Sequence, residues 1–154
     1  MVGMAAAAGR VDRGRGWAGI MSEIPESLTV RIDMTPHPYL MPNMGKHKRT
    51  REPYKDALKE AAAAGAQNIL IGRTWSYDGP IMLVVSIFWE KSRRVVDWDN
   101  AVASIKSAID GVFIKLNADD RQIVGIMLRQ KRDRTGHGYM TMTIDPYTAE
   151  KQAA

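Results

Sequence analysis

Pro80-Ile-Met-Leu-Val-Val-Ser-Ile-Phe-Trp-Glu90 holds the longest apolar run of the chain, and the fold is read outward from it. Ile81, Leu83, Val85, Ile87 and Trp89 alternate with Met82, Val84, Ser86 and Phe88. A two-residue period sends these sets to opposite sides of a strand. With both sets largely apolar, the segment is expected to be a central strand covered on both faces. Ser86 interrupts the run, and it is far short of the ~20 apolar residues a membrane span needs.

Upstream, Ser27–Asp33 alternates Leu28, Val30 and Ile32 with polar neighbours and reads as a half-buried strand. Pro36, Pro38 and Pro42 punctuate a loop running through Asn43 and Gly45. Glu52–Ala64 is rich in Ala and Leu, with Pro53 suited to a first turn and Gly65 to a stop, so a helix is expected there. Downstream, Asp99–Asp110 places Val102, Ile105 and Ile109 at helical spacing, with Gly111 as terminator. Ile123–Leu128 and Tyr139–Ile144 read as two further strands, and the polar, glycine-containing Arg129–Gly138 suits a hairpin with a long loop. The order β-α-β-α-β-β implies an α+β (mixed α/β) domain: one mixed sheet of about four strands with two main helices packed on it.

The 154 residues suffice for one domain with a core of its own. At 45% hydrophobic and 25% charged, the composition is that of a folded globular protein. Cysteine is absent, which excludes disulfides, thiolate metal sites and thiol catalysis. Residues 1–22 read as a poorly ordered basic tail carrying Arg10, Arg13 and Arg15, residues 23–148 as the domain, and residues 149–154 as a frayed end. The run Ala5–Ala8 is too short for a secretory signal, so the cytoplasm is the default compartment and no membrane partner is expected.

The formal net charge of +5 favours an anionic partner, nucleic acid first. Its distribution says more. Asp97, Asp99, Asp110, Asp119 and Asp120 face only Lys106 and Lys115 within their stretch, a local net of −3. Arg121, Arg129, Lys131, Arg132 and Arg134 against Asp133 follow with a net of +4, and Lys46, Lys48, Arg49 and Arg51 add another +4 before the first helix. Lys91, Arg93 and Arg94 stand just ahead of the acids. An acidic knot in a basic chain suits an enzyme of phosphodiesters: cations hold the polyanion, and carboxylates reach phosphate only through a divalent metal.

Within Asp97-Trp-Asp99-Asn100, an extended backbone would project both carboxylates to one side, where they repel unless a cation lies between them. Oxygen ligands without nearby His or Cys favour Mg²⁺ or Mn²⁺. The plainer reading has Asp99 capping the helix. Asp119-Asp120 either reaches the same sheet end as that pair or makes a simple turn. Lys106 either leans back toward the knot or pairs with Asp110 one helical turn on. His37, His47 and His137 are scattered among loops and make a poor zinc set, and no glycine-rich phosphate loop supports a small-phosphate enzyme. Trp98, between the two acids, is placed to face substrate or a partner copy.

The stretch from Arg93 to Ile123 combines Asp97-Trp-Asp99-Asn100, a helix with Lys106 and Asp110, and Asp119-Asp120-Arg-Gln-Ile123. It resembles the RusA family of Holliday-junction resolvases, common in phages and prophages, whose hallmark is Asp-x-Asp-Asn, a helix bearing Lys and Asp, then Asp-Asp-x-x-Ile. The motif spans about a fifth of the chain. The resemblance implies a RusA-like fold and a homodimer that nicks four-way or other branched DNA in pairs, leaving 5′-phosphate and 3′-hydroxyl ends. It implies Mg²⁺, with Mn²⁺ able to substitute, held by Asp97, Asp99 and Asp120, with Asp119 as an alternative or outer ligand, and no small-molecule cofactor. It makes Lys106 the active-site lysine with an offset: the family lysine comes three residues after the asparagine, where Ala103 stands, and Lys106 comes six after Asn100. DNA would be held by Lys46, Lys48, Arg49, Arg51, Arg93, Arg94, Lys131, Arg132 and Arg134, in a bacterial host. The rival from another class is a non-catalytic DNA-binding module whose acids serve as caps and turns.

Overall fold

The computed structural model describes residues 26–42 and 48–148, which form one α+β domain. Strands β1 (Leu28–Ile32), β2 (Ile81–Trp89), β3 (Ile123–Arg132) and β4 (Tyr139–Pro146) alternate with helices α1 (Lys48–Ile69), α2 (Trp98–Ser104) and α3 (Lys106–Leu116). The proposed tail (1–22), Lys46 and the proposed frayed end (149–154) lie outside the described residues.

The sheet order is β1-β4-β2-β3, with β2–β3 parallel and both β4 pairings antiparallel. The expected hairpin between β3 and β4 is therefore not formed. Burial explains the order. Met140, Met142 and Ile144 of β4 are fully buried, which suits an interior strand, whereas β3 exposes Val124, Ile126 and Met127 and takes the edge.

The expectation that β2 is covered on both faces is also corrected. Ile81, Leu83, Val85, Ile87 and Trp89 are fully buried against Leu58, Ala62, Ala66, Ala108 and Val112 of the helices. Met82, Val84, Ser86 and Phe88 on the other face are only half-buried. On that open face Phe88 stacks on Tyr139 at 4.4 Å, and the Arg31 guanidinium lies 4.0 Å from the Tyr139 ring centre. Aromatic and cation–π contacts thus shelter apolar surface that no described helix reaches.

Two glycines expected to stop helices instead let elements approach. A Cβ on Gly65 would collide with the Arg31 carbonyl of β1, so α1 runs past it to Ile69. A Cβ on Gly111 would collide with the Lys59 carbonyl, so Gly111 marks where α3 presses on α1. Helix α3 ends instead at Asn117, whose φ of 52° is left-handed. The single helix expected over Asp99–Asp110 is divided at Ile105 into α2 and α3. That division falls within the interval separating Asn100 from the offset Lys106.

Candidate nucleic-acid interface

The carboxyl ends of the parallel strands β2 and β3 meet where the Asp133 N–H donates to the Trp89 carbonyl at 2.7 Å. Ligands of α/β sheets commonly bind at such strand ends. The Asp133 carboxylate is buried and accepts from the Thr135 amide (2.9 Å), the Thr135 hydroxyl (2.6 Å) and the Gly138 amide (3.2 Å). These bonds, those from Thr135 foremost, hold its carboxyl below the usual range. Its charge is spent on shaping the connection to β4. The surrounding cleft, of about 730 Å³, is lined by Lys91, Lys131, Arg132 and Arg134 beside it. Four cations lining one cleft concentrate positive charge there. Lys91 is the member the sequence reading did not assign to binding, although it belongs to the basic run ahead of the acids.

The remaining predicted cations disperse. Arg94 is exposed and Arg93 is tied back by a 2.9 Å bond to the Pro36 carbonyl. Arg49 is exposed near the start of α1, which Lys48 opens. Arg51 lines a different cavity, shared with Lys55, Lys106 and Asp110.

Asp97 is placed by a short relay from the core. The buried Trp89 indole donates to Gln130 Oε1 at 2.8 Å, and Gln130 bonds the Val96 backbone at both its N–H (3.3 Å) and its carbonyl (2.9 Å). This fixes the residue before Asp97, which caps α2 in an extended conformation without a side-chain cap bond. The cap is thus Asp97, not Asp99. Asp99 already lies in the first helical turn, so the extended pair anticipated from the sequence is not formed. Both acids are exposed on either side of the exposed Trp98, while Asn100 is buried and its Oδ1 has no partner.

The other half of the acidic motif stands elsewhere. The Lys106 ammonium donates to Asp110 Oδ1 at 2.8 Å and to Asp120 Oδ2 at 2.9 Å. Asp110 first and Asp120 second raise its pKa. The lysine therefore reaches one turn forward along α3 instead of back toward Asp99. Asp119 makes the simple turn: it caps Asp120–Gln122 and pairs with Arg121 at 2.7 Å, while Gln122 bonds the Tyr77 and Gly79 carbonyls.

The two halves lie toward opposite ends of β3. Val96 is bonded to Gln130, whereas Asp120 precedes Ile123, and the strand from Ile123 to Gln130 spans about 23 Å at ~3.3 Å per residue. Among the described residues no three Asp, Glu or His side chains come together as a metal-holding group. Asp97, Asp99 and Asp120 thus do not form the expected three-carboxylate cradle, and the ammonium of Lys106 serves as the cation between Asp110 and Asp120. As folded, these three carboxylates do not share one Mg²⁺; Asp97 and Asp99 are the two that would hold it, together with substrate phosphate, since one or two carboxylates suffice for that ion.

The Asp119–Arg121 pair gives a direct pH test. Bonds from the Arg121 side chain, then from its backbone N–H, lower the Asp119 pKa to about 2. A carboxyl lowered on folding stabilises the fold above its ordinary pKa and loses that effect as pH falls toward 2. In a carboxyl NMR titration Asp119 is expected to show its midpoint near 2, returning toward the ordinary range in Arg121→Gln. An ordinary midpoint in the wild-type chain would refute the pair.

No protein-family model matches the chain, and no curated protein matches it. Among the described residues no helix is long and apolar enough to cross a membrane.

Proposed function

We propose that this chain acts on branched DNA as a structure-specific endonuclease of the RusA type. The observation that carries the reading is the juxtaposition, at the carboxyl ends of β2 and β3, of the basic cleft with the Asp97-Trp-Asp99-Asn100 motif, tied together by Gln130. Lys131 and Arg132 directly follow Gln130, so backbone phosphate held by the cleft lies near Asp97 and Asp99. These cations bind phosphate, and Asp97 and Asp99 are the carboxylates at the reacting strand. Two copies related by a twofold axis supply the two sites paired nicks require. A bacterial host cytoplasm, in a phage or prophage setting, goes with this reading.

The second reading, a non-catalytic DNA-binding module, is favoured by the Lys106 bridge and by the absence of a three-carboxylate group among the described residues. A labelled four-way junction incubated with the full chain, with and without Mg²⁺ or Mn²⁺, separates the two. The endonuclease yields symmetric nicks only with the metal. Retardation without product under every condition establishes the binding module, and equal indifference to junction and linear duplex sinks both.

Lys131→Ala/Arg132→Ala tests the cleft. Removing two phosphate contacts is expected to make the slope of log affinity against log salt shallower by about two. An unchanged slope would take this cleft off the DNA path.

A further inference from the structure

A second cavity, of about 290 Å³, is lined in part by residues close in sequence to those of the basic cleft and is not used by the reading above. Its volume is at the small end for ligand pockets, enough for one planar ring system. One wall is aromatic: His37 stacks on Tyr54 with ring centres 3.7 Å apart. Arg93, Glu90, Asp33 and His137 supply polar groups around it. Chain continuity joins the cavities, since Glu90 precedes Lys91, and His137 shares the β3–β4 connection with Asp133 and Arg134.

The chemistry selects the occupant. Asp33 is already neutralised by Arg31 at 2.7 Å, and Glu90 and Arg93 carry opposite signs, so the lining has no surplus charge to attract an ion. It holds both acceptors (Glu90, Asp33) and donors (Arg93, and His37 through its second nitrogen). His37 Nδ1 accepts from the Tyr39 N–H at 3.2 Å, which leaves Nε2–H as its donor. Burial, then Arg93, lowers the His37 pKa, keeping the ring neutral. A flat, uncharged ligand with donors and acceptors along one edge fits this lining.

Resting on the DNA-binding reading, we propose that this cavity takes a single unpaired nucleobase from the strand held in the basic cleft. Unstacked bases are read in this way, by aromatic surfaces and by hydrogen bonds to their edges.

The test compares 12-nucleotide mixed-sequence single strands with abasic strands of equal length and charge, titrated into the full chain by fluorescence anisotropy. The base-bearing strand is expected to bind about tenfold more tightly than the abasic one. In Glu90→Gln and, separately, His37→Ala, that preference is expected to shrink to about twofold or less, with abasic affinity retained. Glu90→Gln keeps the volume of the side chain and so covers the case in which His37→Ala fails to fold. Equal binding of both strands by the wild-type chain, or a preference that survives both variants, overturns the base pocket while DNA binding stands. Binding of neither strand by a chain that retards the four-way junction overturns the pocket alone, and failure to retard the junction as well overturns the DNA-binding reading with it.

Discussion

Asp97→Asn is expected to hold a four-way junction at least as tightly as the wild-type chain while its metal-dependent nicking falls below detection. The Asp97 side chain makes no cap bond and is exposed, so exchanging carboxylate for amide removes no contact the fold depends on. It also removes a negative charge beside the basic cleft, which favours polyanion binding. What disappears is the charged oxygen pair that the proposed chemistry needs at the strand. Gel retardation and product formation on the same junction, in the same buffer, give both quantities. Nicking at the wild-type rate would remove Asp97 from the chemistry, and lost retardation would mean that the residue serves binding or folding.

Trp89→Ala carries the largest expected effect on stability, about 3–5 kcal/mol, because it empties a fully buried indole site at the end of the central strand. The same change deprives Gln130 Oε1 of its indole donor, leaving the Val96 N–H as its remaining partner. Denaturant unfolding measures the first consequence as a lowered midpoint with unchanged slope. Trp89→Phe separates the two: it retains most of the buried surface but loses the indole N–H, so its cost should be smaller while the Val96–Asp97 backbone loosens. A loss under about 1 kcal/mol for Trp89→Ala would mean that this end of the sheet is not packed as described.

Elements with a strong period were legible without coordinates. The alternation of Ile81–Trp89 located the central strand, that of Leu28, Val30 and Ile32 the first, and Tyr139–Ile144 the last. Glycine misled in two places. At Gly65 and Gly111 a missing side chain reads locally as a helix stop, whereas both glycines sit inside helices at points of close approach to a neighbouring backbone. Neighbour order was equally hidden, since β3 and β4 look like a hairpin in sequence and become partners of β2 on either side.

The candidate site divides along the same line. The amino-acid order by itself determined the α+β class, the basic segment Lys131–Arg134 and the Asp97-x-Asp99-Asn100 motif, because side-chain type and spacing along one segment are local properties. Only the tertiary structure decided which charges meet: Lys91 with Lys131 and Arg132, Lys106 with Asp120, and Asp97 near Gln130 instead of Asp120. The physical reason is the length of β3. A parallel strand must begin at the end of the sheet where its partner begins, so the ten residues from Ile123 to Arg132 carry the two halves of one sequence motif toward opposite ends.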